Sequence, residues 1–264
     1  MAQAHRGGEI DLNADLGEGY DDGQILPFLS SCNIACGAHA GDAATMTRTL
    51  EAASRLGVAC GAHPGYPDRA SFGRKELPMT LAELADSVVE QIETLSAAAR
   101  RSKAVLSHVK PHGALYHVCH RRRDTARALA EAVARRHPRL VLVGMPGSIL
   151  LEEGERAGLR TVAEAFADRL YLEDGSLAPR GTAGAVHDAP ERAASQALEI
   201  ARDREVTSST GARLPVDART ICIHGDSPGA ASIGRAVRKK LEDAGIEIRS
   251  FVSRVAAVGS TARP

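Results

Sequence analysis

The 264-residue sequence predicts an α/β chain folded as a TIM-like (βα) barrel, and three observations carry that expectation. Short β-branched apolar runs recur at regular spacing, and Ala-rich stretches with helical periodicity fill the intervals. No Pro/Ser linker or low-complexity tract breaks the alternation, so residues 1–264 read as one barrel domain. Roughly seven or eight βα units in about 250 residues suit closure better than an open doubly wound sheet, although periodicity alone does not demonstrate closure.

Strands are expected near 9–14 (EIDLNA), 32–36 (CNIAC), 57–61 (GVACG), 104–109 (AVLSHV), 139–144 (RLVLVG), 160–164 (LRTVAE) and 219–223 (RTICI), with a shorter run at 246–251. The helices are defined by their ends. Asp42 caps DAATMTRTLEAASRLG, which Gly57 stops. Thr80 caps TLAELADSVVEQIETLSAAARR, with Glu83 at the reciprocal capping-box position and basic residues in the last turn. Further helices fit 124–136, 147–157, 190–203 and 227–244. Gly and Pro gather at 64–78, 111–113 and 174–190, which read as long loops on one rim of the scaffold.

Composition excludes several function classes. Lys+Arg and Asp+Glu both number 33, so the chain lacks the basic surface on which nucleic-acid and anionic-membrane binding rest. Aromatics are 3% with no Trp, which leaves few stacking platforms and favours a small polar substrate over a sugar polymer. The five cysteines, Cys32, Cys36, Cys60, Cys119 and Cys222, show no C-x-x-C spacing and read as reduced. Cys36, Cys60 and Cys222 fall within apolar runs, as small core residues do. No apolar run approaches the roughly 20 residues that span a bilayer, and no leader precedes EIDLN. A soluble cytoplasmic protein is expected.

The polar residues collect at the C-terminal ends of the expected strands. The first runs into Asp15 and Glu18, the second into His39 and Asp42, the third into His63 and Asp68. The fourth carries His108, Lys110 and His112, the sixth leads to Glu164, Asp168 and Arg169, and the seventh to His224 and Asp226. In a parallel barrel these converge on one mouth, where catalytic groups belong. A single histidine at a strand end is more often structural; six strands contributing at once strengthen the functional reading. Asp15, His39 and His63 form a set adequate for a divalent metal with an open position, and they serve equally as an acid/base relay with Lys110 or Arg169 stabilising negative charge. No H-E-x-x-H spacing decides between the two. No G-x-S-x-G elbow is present, and GAASIGR at 229–235 lacks the Lys-Ser/Thr ending of a P-loop. It reads as the first turn of the last long helix, with GDSPG before it as a possible anion-holding turn.

Taken together, IDLNADLGEG, NIACGAHAGD, GAHPGYPDRASFGR, HVKPHGALY, EAFADRLY, DGSLAPR and HGD resemble, in that order, the motifs of the LamB/YcsF family over about residues 9–250. Residues 1–8 and about 252–264 are then peripheral tails. The resemblance implies a seven-stranded barrel of the glycoside hydrolase/deacetylase type. It also implies ATP-dependent opening of the lactam of 5-oxo-L-proline to L-glutamate, in company with 5-oxoprolinase subunits B and C. ATP is then a co-substrate, with Mg2+ expected, and a protein-bound metal stays open. Two departures are visible: Ala38 stands where the family carries a large aromatic, and HGALYH, with Ala114 and His117, replaces HGMLYN.

On that resemblance, Asp15 and His39 position or deprotonate water with help from His63. Lys110 and Arg169 neutralise carboxylate or phosphoryl charge, and His112 and His224 donate a proton to the leaving nitrogen. Glu164 and Asp226 orient these groups or hold a metal. With no P-loop in the chain, nucleotide is expected either at a loop such as Gly225–Gly229 or largely on the partner subunits. Two other readings compete: a metal-dependent amidohydrolase or sugar deacetylase on the same barrel, and a non-catalytic scaffold subunit. The density of ionisable groups at strand ends speaks against the scaffold.

Overall fold

A computed structural model describes residues 8–225 and 229–252. Strand β1 (Glu9–Leu16) leads through a short helix α1 (Asp22–Ile25) to β2 (Ser31–Ala35); α2 (Ala43–Leu56), β3 (Ala59–His63), α3 (Leu81–Arg101) and β4 (Leu106–Val109) follow. Then come α4 (Gly113–Arg121), α5 (Arg123–Arg136), β5 (Val141–Gly144), α6 (Ile149–Arg156) and β6 (Arg160–Phe166). The last part holds α7 (Pro190–Leu198), a hairpin β7 (Glu205–Thr207) and β8 (Arg213–Pro215), β9 (Thr220–Cys222), α8 (Ala230–Asp243) and β10 (Glu247–Ile248).

Closure, which periodicity left undecided, is set by pairing. The order β1-β2-β3-β4-β5-β6-β9 is parallel throughout, and β9 returns to β1 through Asp11↔Thr220, Leu12↔Ile221 and Asn13↔Cys222. The barrel therefore has seven strands. β10 adds to the start of β1 outside that circuit. Strands such as SCNIA, VLVG and TIC are buried along their whole length, as expected when helices cover the outer face and side chains fill the interior.

The helix ends behave as their sequences require. Asp42 accepts a bond from the Thr45 amide at 2.7 Å, and Gly57 closes α2 in the left-handed region at φ 70°. Thr80 and Glu83 cap each other at α3, which lays Leu84, Val88, Ile92 and Leu95 on the barrel at helical spacing. Two glutamines hold the long rim loops. Gln91 on α3 bonds both the carbonyl (2.8 Å) and the amide (3.0 Å) of Gly65, and Gln196 on α7 donates to the carbonyls of Phe166 and Arg169, both at 2.8 Å.

Some expectations shift. The third strand lies at 59–63 rather than 57–61, because Gly57 and the buried Val58 complete the helix end, and His63 thus belongs to the strand itself. The chain after HVKPHG turns at once into α4, where only a Gly/Pro loop was expected. The β7–β8 hairpin is also new: its three-residue strands are too short for a period-2 pattern to register. GAASIGR indeed forms the start of α8, with Gly229 at the cap; the preceding residues 226–228, and with them most of the GDSPG turn, lie outside the described residues. All five cysteines are free and buried. Among the described residues no helix is long and apolar enough to cross a membrane.

Candidate active site

Alternate residues of each strand point into the barrel, and here the interior is polar for most of its height. Asp11, Asn13 and Asp15 of β1 and Ser31 and Asn33 of β2 meet His108 of β4, Glu164 of β6 and Thr220 of β9 in one hydrogen-bonded core. Donor roles fix its direction. Ser107 Oγ donates to the Cys60 carbonyl (2.9 Å) and lies 2.8 Å from His108 Nδ1, His108 Nε2–H donates to Asn33 Oδ1 (3.0 Å), and the Asn33 amide donates to Asn13 Oδ1 and Asp15 Oδ1, both at 2.9 Å. Burial and the neighbouring Lys110 push the His108 imidazole down to about 3, in keeping with its neutral place in this chain. His108 is thus a buried support for Asn33, and its ring lies directly over Gly61, where a Cβ would stand 2.2 Å away.

Above this core sits Lys110. Its ammonium lies 3.0 Å from Asp15 Oδ1, 2.9 Å from Glu164 Oε1 and 3.3 Å from the Cys222 sulfur. Burial alone would lower the lysine pKa, but Asp15, Cys222 and Glu164 together raise it well above the ordinary value, so the ammonium is permanent. Tyr116 of α4 donates to the second Glu164 oxygen at 3.2 Å.

The mouth holds a histidine–carboxylate cluster. Asp15 Oδ2 is 3.2 Å from His63 Nε2, and His63 Nε2 is 3.0 Å from His112 Nδ1. Glu18 Oε1 reaches His39 Nε2 at 2.9 Å, His112 Nδ1 at 3.2 Å and His63 Nε2 at 3.8 Å. The far nitrogens of two rings are held by backbone: His63 Nδ1–H donates to the Lys110 carbonyl (2.8 Å) and His112 Nε2–H to the Phe72 carbonyl (2.9 Å). Burial opposes ionisation of Asp15, but His63 and Lys110 outweigh it and hold the carboxyl well below its ordinary range. Burial would raise Glu18 too, but its contacts with His112 and His39 outweigh it and hold that carboxyl below the ordinary range. His63 moves upward, because Asp15 and Glu18 overcome its desolvation. His39, by contrast, is pushed down to about 4 by burial. It stacks on His112 with centroids 3.7 Å apart, and its Nδ1 is buried without a hydrogen-bond partner.

A cavity of about 450 Å³ opens over this cluster. Asp15, Glu18, His63, Lys110, His112 and His224 line it, together with Arg74, Arg121, Arg169 and Arg180. Ala114 and His117, the two departures in HGALYH, lie on its wall. Burial and the Arg169 and Arg121 charges push His117 down to about 4. Asp168 anchors His224 by accepting from both its Nδ1 (2.7 Å) and its backbone amide (2.9 Å). Burial would raise the Asp168 carboxyl, yet His224 lowers it. Arg169 spends two donors on its own loop, at the Ala185 (3.3 Å) and Ala178 (2.6 Å) carbonyls.

Of the residues expected at the site, Asp15, His63, Lys110, His112, Arg169 and His224 share this cavity. His39 sits one layer behind His112, and Glu164 lies beneath Lys110. Asp226 lies outside the described residues. Glu18 and Asp168 were visible at their strand ends but had no assigned role; they prove to be the hub of the histidine cluster and the partner of His224. Asn33 and Tyr116 gave no signal, since inside apolar runs an amide or phenol reads as ordinary.

Comparison with known proteins identifies the family. The LamB/YcsF family profile matches residues 10–256. The chain is similar to the A-type subunit of 5-oxoprolinase from Streptomyces avermitilis, 46% identical over 248 residues, covering 92% of this chain and 99% of that one. It is also similar to the A-type subunit of 5-oxoprolinase from Chloroflexus aggregans, 49% identical over 247 residues, covering 91% and 98%. The solved lactam utilization protein from Thermus thermophilus superposes with a TM-score of 0.87 at 45% identity, over 92% of this chain and all of that one. A deacetylase solved with its substrate shares the barrel alone, with a TM-score of 0.52 at 15% identity over 97% and 94% of the two chains. Matched along nearly its whole described length, the chain belongs to the LamB/YcsF family.

Proposed function

We propose that the chain works as one component of an ATP-dependent 5-oxoprolinase, opening the lactam of 5-oxo-L-proline to L-glutamate together with B and C partner subunits in the cytoplasm. The observation that carries this reading is one cavity lined both by a proton-accepting cluster (Asp15, Glu18, His63, His112) and by four arginines, with the Asp168-anchored His224 beside them. The names and extent of the relatives support the substrate class.

An unactivated lactam resists water. In the proposed course the lactam oxygen attacks the γ-phosphorus of Mg2+-bound ATP; the bond to ADP breaks and an O-phosphorylated ring results. A water oxygen then bonds to the ring carbon while its proton passes to the Asp15–His63–His112–Glu18 cluster. Two bonds of the tetrahedral intermediate compete to break. Loss of phosphate regenerates the lactam and wastes ATP, whereas loss of nitrogen opens the ring, so a proton delivered to nitrogen decides the outcome. His224 supplies it, with Asp168 holding the ring in place through Nδ1. Ring opening leaves a primary amine and an acyl phosphate, and a second water displaces phosphate to give glutamate. The arginines neutralise the substrate carboxylate and the phosphoryl oxygens. Lys110, already bonded to Asp15 and Glu164, keeps Asp15 ionised and in place.

The test is glutamate release from 5-oxo-L-proline plus ATP, measured for this chain alone and combined with its B and C partners. Stoichiometric glutamate and phosphate from the complete mixture are expected; none from the complete mixture removes the reading.

A further inference from the structure

We propose that Asp15 Oδ2, Glu18 Oε1, His63 Nε2 and His112 Nδ1 form a binding site for one divalent transition-metal ion of the zinc class.

The argument begins with protons. His63 Nδ1 and His112 Nε2 each face a backbone carbonyl, at 2.8 and 2.9 Å, and a carbonyl only accepts. Both rings therefore carry their hydrogen on that outer nitrogen. In the neutral state of both rings the inner nitrogens, His63 Nε2 and His112 Nδ1, present lone pairs to one another at 3.0 Å. Carboxylate oxygens crowd the same point: Asp15 Oδ2 is 3.2 Å from His63 Nε2, and Glu18 Oε1 is 3.2 Å from His112 Nδ1 and 3.8 Å from His63 Nε2. Asp15 Oδ2, His63 Nε2 and His112 Nδ1 all lie within 4.8 Å of one another with Glu18 Oε1 against both rings, and a positive centre among them, whether a proton or a metal ion, relieves the crowding of acceptors.

Distances agree with that centre being a metal. Zinc holds nitrogen and oxygen ligands at about 2.0–2.1 Å in a tetrahedron, whose edge is then about 3.3 Å. Four of the six edges of such a site, at 3.0, 3.2, 3.2 and 3.8 Å, lie on either side of that length. The groups behind the donors are those of a built site. Each inner nitrogen is aimed by the backbone bond of its ring partner, and Glu18 is aimed by His39 Nε2–H at 2.9 Å. Asp15 is held by Lys110 and Asn33 through its other oxygen, which leaves Oδ2 to the cluster. All four residues line the cavity, so ligand exchange has a route from solvent.

The ion would occupy the same lone pairs that take the water proton in the proposed lactam reaction, so binding is measured on the isolated, substrate-free chain, where the two readings fail separately. After chelation and dialysis, calorimetric titration with Zn2+ and visible absorption with Co2+ are the probes. One equivalent should bind with a Kd in the micromolar range or tighter, and Co2+ should give d–d bands in the visible. His63→Gln and His112→Gln should each weaken Zn2+ binding by about 100-fold or more, while His120→Gln, outside the cluster, should leave it unchanged. As a check that does not depend on those two variants folding, Zn2+ should raise the melting temperature of the wild type but not that of Glu18→Gln. Absence of saturable binding by the wild type, or binding that survives both histidine substitutions, overturns the proposal. So does histidine 15N spectroscopy showing His63 protonated on both nitrogens and unmoved by Zn2+, since a proton would then be the positive centre.

Discussion

The Lys110 ammonium stands 3.0 Å from Asp15 Oδ1, and both side chains belong to the same buried network beneath the cavity, with Glu164 2.9 Å away on the other side. Removing the cation strands two carboxylates in a site that water does not reach well. Breaking a buried pair in this way costs about 3–5 kcal/mol. Lys110→Met should therefore lower the unfolding free energy by about that amount and abolish turnover of the assembled enzyme. Adding Glu164→Gln should recover part of the stability but not the turnover, as denaturant titration and glutamate release will show.

If His224 protonates the leaving nitrogen, its loss changes the partition of the intermediate rather than its formation. His224→Gln should keep phosphate release from ATP while glutamate falls by 100-fold or more, on the order of a lost general acid. The ratio of phosphate to glutamate, near one in the wild type, is the measurement. A ratio still near one would assign nitrogen protonation to another group.

Arg169 offers a fork of donors, two of them fixed on the Ala178 and Ala185 carbonyls. Lysine keeps the charge but not the fork. Arg169→Lys should raise KM for an anionic substrate roughly tenfold, about 1.4 kcal/mol, with a smaller change in kcat; steady-state kinetics at fixed salt decide it.

Gly61 has no room for a side chain, because a Cβ would lie 2.2 Å from the His108 ring. Overpacking of this kind costs about 1–3 kcal/mol, and here the ring is locked by Ser107 and Asn33. Gly61→Ala should lower the melting temperature by several degrees. In a Gly61→Ala/His108→Ala double variant, the cost should be less than the sum of the two singles, because the clash is gone.

Asp11 supplies a pH signature far from the mouth. Burial pushes its carboxyl up to about 6, opposed by bonds from Thr220, Ser30 and Ser31 and reinforced by the charge of Glu164. The folded state thus holds a proton that the unfolded chain releases near 3.8, so stability falls as pH rises from about 4 to 6. The integrated effect is about 3 kcal/mol. Asp11→Asn should flatten this part of the stability profile, which urea titrations from pH 4 to 7 will measure.

The sequence was most legible where one residue type enforces one local geometry. The caps at Asp42 and Thr80 and the stop at Gly57 fall at or beside their expected places. The strand-end residues of NADLGEG, ACGAH and HVKPHG were legible too, because a parallel barrel gathers strand ends at one mouth. Two short strands and α4 were not, since three residues carry no period and HGALYHVCHR lacks a side-chain cap.

By itself, the sequence determined the βα order, the family and several of the ionisable residues that meet at the mouth, among them Asp15, His63, Lys110 and His112, because periodicity, capping and motif spacing are local properties of a chain. Tertiary structure alone decided what each of those residues can do. His39 and His63 follow the same Gly-x-His pattern, yet His39 packs behind the cavity wall as a neutral ring, whereas His63 stands between Asp15 and Glu18 and is drawn toward its charged form. Proton affinity depends on which charges lie within a few ångströms and how much water is excluded, and only barrel closure through β9 and β1 sets those distances.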